Sequence, residues 1–80
     1  MSKKKDITVV IACRNANGSP DFVYTKVSVS QSQYDTGDHY DLAEEKALED
    51  DYEGPFVCFD EVEMPEFLKQ AVAQDKIPRL

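Results

Sequence analysis

The sequence predicts a small α+β fold of order β-β-α-β-α, with a three-stranded antiparallel sheet in strand order 2-1-3 and a helix on one face. Three observations carry this. Two strand-like runs flank a cluster of turn formers, Asn15-Ala-Asn-Gly-Ser-Pro-Asp21. A stripe of helical period follows and is stopped by Gly54-Pro55. A third apolar run then resumes a strand before a second helix. A hairpin followed by a right-handed crossover places strand three beside strand one, on the side away from strand two.

Eighty residues make one domain, 1–80, near the lower limit at which a single core folds without staples. Lys3, Lys4 and Lys5 belong to a basic tail, 1–5, expected to be disordered. Ile7 to Arg14 is β-branched and apolar on both alternating faces, as suits a central strand. Phe22 to Ser30 alternates more clearly, with Val23, Thr25, Val27 and Val29 on one side, as suits an outer strand with one buried face. The polar stretch Ser30 to Tyr34 fits one helical turn or an extended exit, and Gly37 breaks what precedes it.

Asp38 is expected to cap a helix over about 39–52, with Asp41 reaching back as in a capping box. Tyr40, Ala43, Ala47 and Leu48 share its inner side, with Tyr52 at the border. Gly54 is expected to end that helix in a left-handed conformation, and strand three runs over 56–60. Pro65 suits the first turn of the second helix, whose apolar stripe is Phe67, Leu68, Ala71 and Val72. Residues 77–80 close the chain as an irregular tail. The second sheet face, carrying Val10, Ala12 and Tyr24, needs a cover, and either the second helix or a dimer mate supplies it.

Charge is distributed unevenly. Between Asp35 and Glu66 stand thirteen acidic residues against Lys46 alone, a formal −12 within a chain whose total is −7. Long-range repulsion therefore disfavours direct binding to nucleic acid or to an anionic membrane and favours basic partners. No apolar run is long enough to span a bilayer, so a soluble, cytoplasmic protein is expected. Cys13 and Cys58 lie in apolar strands expected to be neighbours, which fits buried thiols in a reducing compartment.

No catalytic or cofactor motif is evident. His39 is the single histidine, and beside Asp35, Asp38 and Asp41 it raises the idea of a metal or acid–base site. The spacing opposes it: no second His or metal-spaced Cys completes a zinc set, and acids at every third position do not make a calcium loop. His39 is therefore expected at the surface. Neither cysteine has an activating partner, phosphate-cradling glycine motifs are absent, and no cofactor, metal or enzymatic activity is expected.

What remains is the acidic surface. Glu49, Asp50, Asp51 and Glu53 crowd the helix end, where the macrodipole favours cations and each misplaced exposed charge costs about 0.3 kcal/mol. Rows of carboxylates on a rigid helix can imitate backbone phosphates and occupy a cationic groove, with tyrosines adding contact area. The run Gly37-Asp38-His39-Tyr40-Asp41-Leu42-Ala43, followed by Tyr52-Glu53-Gly54-Pro55-Phe56-Val57, resembles small acidic proteins encoded by phages, prophages and plasmids. In size and acidity the chain is similar to phage-encoded anti-defence proteins, including anti-CRISPR proteins, and that resemblance implies an accessory inhibitor acting as a nucleic-acid mimic.

The expected function is a non-catalytic interaction protein that blocks the basic surface of a nucleic-acid-binding partner through Tyr40, Asp41, Glu45, Glu49, Asp50, Asp51, Tyr52 and Glu53. The alternative is a small homodimeric structural or regulatory module whose acids only solubilise it.

Overall fold

A computed structural model describes residues 3–14 and 20–80. Its elements are β1 (Lys5–Arg14), β2 (Pro20–Val29), α1 (Gln31–Thr36), α2 (Asp38–Glu49), β3 (Glu53–Phe59) and α3 (Glu66–Ala73). The sheet order is β2-β1-β3, and both pairings are antiparallel. This is the expected α+β architecture with one short helix added. Residues 15–19 of the expected hairpin loop lie outside the described residues, and Pro20 and Asp21 belong to β2. Lys5, assigned to the basic tail, pairs with Val29 in the sheet. None of the described helices is long and apolar enough to cross a membrane.

Strand register sorts the side chains into two layers. Ile7, Val9, Ile11 and Cys13 stand opposite Val27, Thr25, Val23 and Asp21 on β2, and their face packs on Ala43 and Ala47 of α2. Alanine at both helix positions lets the backbone approach the sheet closely. The reverse face carries Val10, which is buried with Met64, Leu68 and Ile77. The second face is thus covered within the chain, by α3 and the segment after it. Residues 78–80, expected to be irregular, run along the outer edge of β2: Tyr24 N–H donates to the Pro78 carbonyl at 3.0 Å, and Leu80 N–H to the Tyr24 carbonyl at 2.8 Å. The edge amide and carbonyl of Tyr24 are satisfied in this way.

The helix boundaries differ from expectation for identifiable reasons. Ser30 accepts from Gln33 N–H at 3.2 Å while the Gln33 side chain accepts from Ser30 N–H at 2.9 Å, a reciprocal capping box that nucleates α1. Gly37, at φ 83°, then serves both as the left-handed stop of α1 and as the cap residue of α2. Asp38 is therefore the first helical residue and not the cap, and neither it nor Asp41 makes the expected capping hydrogen bond. Pro65 caps α3 from an extended conformation instead of lying in its first turn.

At the other end, α2 stops at Glu49, three residues before the expected Tyr52. The left-handed residue is Asp51, at φ 65°, and not Gly54, which lies inside β3. Tyr52 N–H reaches back to the Ala47 carbonyl at 3.0 Å and Asp51 N–H to the Leu48 carbonyl at 3.2 Å, the paired bonds of a Schellman motif. Asp75, at φ 58°, ends α3 in the same way, with Lys76 N–H on the Ala71 carbonyl and Asp75 N–H on the Val72 carbonyl. Aspartate tolerates this conformation better than most residues, so glycine is not obligatory at either place.

Two apolar side chains face outward against expectation. Leu48 is 58% exposed, because the buried stripe of α2 is His39, Ala43 and Ala47 at i, i+4 and i+8, and Leu48 falls about 100° beyond Ala47. Phe67 is 63% exposed and lies edge-on to Phe22 with ring centres 6.4 Å apart, while Leu68 is buried in the core. Truncating Leu68 to Ala should cost about 2–4 kcal/mol in urea unfolding. Phe67→Ala should cost at most about 1.5 kcal/mol, the worth of an edge-on aromatic pair. Equal costs would show that α3 lies on the sheet with a different stripe.

Candidate functional site

The exposed face of α2 gathers much of the predicted partner surface. Asp38, Asp41, Glu45 and Glu49 fall within about 80° of helical arc, and the last three are exposed. Asp50, Asp51 and Glu53 continue the exposed acidic run through the turn into β3. Among the described residues from 35 to 66, the ion pair within 4.0 Å is that of His39 with Asp60, so these carboxylates are not neutralised by Lys or Arg contacts. Lys26 and Lys46 nonetheless lie near Glu45 and Glu49, sharing with them a shallow concavity beside Leu42.

The two tyrosines of the predicted set are placed differently. Tyr40 lies on the far side of α2 from those acids and is half-buried. Tyr52 is half-buried against the main core cluster, where burial first, and then the nearby Cys13, Asp21 and Asp50, push its phenol pKa up. The acidic run is also not uniform. Glu61 accepts from Thr8 N–H at 2.9 Å, satisfying a β1 amide beyond the end of β3, and Asp60 is 4% exposed. These two carboxylates belong to the scaffold.

Asp60 is the centre of a second cluster, which sequence reasoning missed. Its Oδ2 accepts from the hydroxyls of Tyr34 and Tyr40, each at 3.1 Å, and faces His39 Nε2 at 3.3 Å. Its Oδ1 accepts from the amides of Val62 at 3.0 Å and Glu63 at 2.9 Å. Burial alone would raise the Asp60 pKa. The Glu63 amide and the Tyr40, Tyr34 and His39 bonds outweigh it, so the carboxyl titrates below its ordinary value of 3.8. Conversely, burial and then Asp60 hold both phenols above their usual range.

His39 is 2% exposed, which overturns its expected surface position. Its ring stacks on Tyr34 at 4.6 Å and 13°, and packs against Tyr40 at 4.0 Å and 34°. Facing a carboxylate, Nε2 carries a hydrogen, and in the neutral ring Nδ1 is then an acceptor. That Nδ1 is buried with no hydrogen-bond partner among the described residues. One signal for this burial was present in the sequence, since His39, Ala43 and Ala47 recur at the spacing of a single helical stripe. The contact to Asp60 had none, because Asp60 lies 21 residues from His39 and 26 from Tyr34.

Above these side chains the surface is concave. The depression encloses about 420 Å³ and is lined by Tyr34, Asp35, His39, Tyr40, Asp60 and Glu63, with Thr36, Gly37 and Val62 at its rim. The described residues include no group of three or more His, Cys, Asp or Glu placed to hold a metal ion. The thiols are held protonated. Burial and then Glu44, whose carboxylate lies 4.0 Å from Cys58 Sγ, push the Cys58 pKa up to about 12, and burial and then Asp21 raise that of Cys13. Cys58 stands opposite Ile11 and not Cys13, and both thiols are free.

Because the folded pKa of Asp60 is depressed, its contribution to stability is complete above the unfolded value of 3.8 and is lost as pH falls through the lower folded value. Asp60→Asn should cost about 2–3 kcal/mol at pH 7, since several donors lose a charged acceptor, and should lower Tm by roughly 10–20 °C. Wild type should lose part of its stability as pH falls below about 4, and the variant should lack that component. Equal acid profiles would show that Asp60 is not the anchor. Compared with known proteins, the chain matches no family model, no curated protein and no solved structure.

Proposed function

We propose that this chain is a non-catalytic acidic interaction protein that occupies the basic, nucleic-acid-binding surface of a partner protein, in the manner of the phage-encoded anti-defence proteins it resembles. One observation carries the reading: Asp41, Glu45, Glu49, Asp50, Asp51 and Glu53 are all exposed along one helix face and its following turn, with no Lys or Arg ion pair within 4.0 Å among the described residues. On the helix the row advances about 6 Å per carboxylate, and it is held by a backbone anchored on both flanks, by Gly37 and by the Schellman turn at Asp51.

Energetics support a selected role for the patch. Like charges at i, i+4 cost about 0.2–0.5 kcal/mol per pair, and acids at a helix C-terminus oppose its dipole. Reversing them should therefore leave the fold intact or strengthen it, so a loss of binding would not be a loss of folding. Asp51 is best left unchanged, because its left-handed backbone would strain a lysine.

The test is affinity capture from the native host with wild type and with the triple variant Glu45→Lys, Glu49→Lys, Asp50→Lys, with and without a competing oligonucleotide. Wild type should retain a nucleic-acid-binding protein that the oligonucleotide displaces, and the variant should retain at least tenfold less with an unchanged melting curve. Identical capture by both proteins would refute the reading.

A further inference from the structure

The sheet has two edges, and the chain treats them differently. Residues 78–80 pair with the β2 edge at Tyr24, whose N–H and C=O both have backbone partners there. No strand or backbone group among the described residues pairs with β3 on its outer side. Which β3 groups that leaves open follows from the neighbouring strands. Tyr24 N–H and C=O point out of the sheet, so those of Val10, directly opposite, point away from Tyr24 and toward β3. Thr8 N–H, two residues earlier, points the same way, onto Glu61. Val10 with Phe59 and Ala12 with Val57 are thus the hydrogen-bonded pairs, and the N–H and C=O of Cys58 and Phe56 are turned outward.

Beside this edge the surface is concave, enclosing about 370 Å³, and the described residues that line it are Tyr40, Glu44, Phe56, Val57, Cys58 and Glu63, with no Lys or Arg. Phe56 and Cys58 share the α2 face of the sheet, where Glu44 lies 4.0 Å from Cys58 Sγ and Glu63 stands beside Tyr40. Val57 alternates to the opposite face and is 53% exposed. Neither Glu44 nor Glu63 has a Lys or Arg within 4.0 Å among the described residues. An occupant of the edge needs an extended backbone that meets two outward residues about 6.8 Å apart. Directly opposite residues share a face, so cations belong opposite Phe56 and Cys58, and an apolar side chain belongs opposite Val57. A second copy is unsuited: each chain carries −7, and pairing β3 with β3 would crowd Glu44 and Glu63 of both copies along one seam.

We propose that the outer edge of β3 takes up an extended segment of a basic protein as a fourth, antiparallel strand, with Lys or Arg opposite Phe56 and Cys58 and an apolar residue between them on Val57. Backbone bonds at an open edge supply affinity, and the alternate side chains supply selectivity. Antiparallel addition continues the pattern of the sheet and lets each outward residue exchange both of its bonds with one residue of the guest. The assignment shares with the reading above only the basic character of the partner, and it requires none of Glu45, Glu49 or Asp50.

The test is an amide NMR and hydrogen-exchange titration of the full chain at constant ionic strength with the blocked peptide acetyl-Thr-Arg-Val-Arg-Thr-amide. Three controls keep its charge: one N-methylated at both arginine amides, one at the valine amide, and the isomer acetyl-Thr-Arg-Arg-Val-Thr-amide, which lacks the alternation. The parent peptide should give saturable shifts centred on Phe56, Val57, Cys58 and Glu63 and slow exchange at the Phe56 and Cys58 amides. Methylating the arginine amides should weaken binding at least tenfold, because they face the strand edge, and methylating the valine amide less than threefold, because it faces away. The isomer should bind at least threefold more weakly. The double variant Glu44→Gln, Glu63→Gln should weaken the parent peptide at least fivefold with an unchanged melting curve.

Shifts confined to residues 41–53, equal effects of the two methylations, unchanged exchange at Phe56 and Cys58, or undiminished binding by the double variant would overturn strand addition. Protection of the same two amides by raised protein concentration alone would make a second copy the occupant and overturn the basic segment. None of these results depends on the capture experiment with the α2 variant, so either idea can fail alone.

Discussion

A single buried carboxylate ties together the parts of this chain that neither the sheet nor the alanine stripe could hold in register. Asp60 stands one residue beyond β3 and accepts from Tyr34 on α1, His39 and Tyr40 on α2, and two amides of the turn that leads toward α3. Taking a charge out of water costs several kcal/mol, and here the cost is met by donors from three separate segments. That arrangement is cooperative: removing any donor leaves the others facing a less well-satisfied charge. It also explains why a six-residue helix with no buried residue persists at all, since its capping box is local but its placement depends on the Tyr34 hydroxyl.

The same anchor gives α2 two unlike sides. Its inner stripe of His39, Ala43 and Ala47 is pinned by Asp60 at one end and by the Schellman turn at the other. Rotation is therefore set by contacts at both termini and not by the weak apolar patterning of the helix, which is why Leu48 ends in solvent. Once rotation is set, the acids that remain project together, and the tyrosine nearest them in sequence, Tyr40, is turned to the other side. An acidic outer row and an aromatic-acidic depression are thus consequences of one packing decision.

Eighty residues support two thin cores because the sheet is shared. Val9 and Ile11 serve one layer and Val10 the other, so β1 is buried on both faces over its middle. The short α3 and the closing residues complete the second layer, and the final three residues also satisfy the β2 edge at Tyr24. An apolar face that would otherwise invite another molecule is in this way closed by the chain itself.

Local chemistry in the sequence was enough for the strand order, the central place of β1, the hairpin partners and the existence of α2 and α3, because alternation, helical period and breakers act over a few residues. It also showed that the 35–66 segment is the acidic part of the chain. Helix ends were less legible: Asp51 and Asp75 take the left-handed positions that a reader assigns to glycine, and Ser30, not Asp38, carries the capping box. Tertiary structure alone decided that His39 faces Asp60, that Asp60 and Glu61 serve the scaffold while Asp41, Glu45 and Glu49 stay in solvent, and that Tyr34 and Tyr40 meet over one carboxylate. The physical reason is distance along the chain. A charge finds donors more than twenty residues away only after sheet and helices have docked, and no pattern within a short window encodes which of thirteen acids will be the one enclosed.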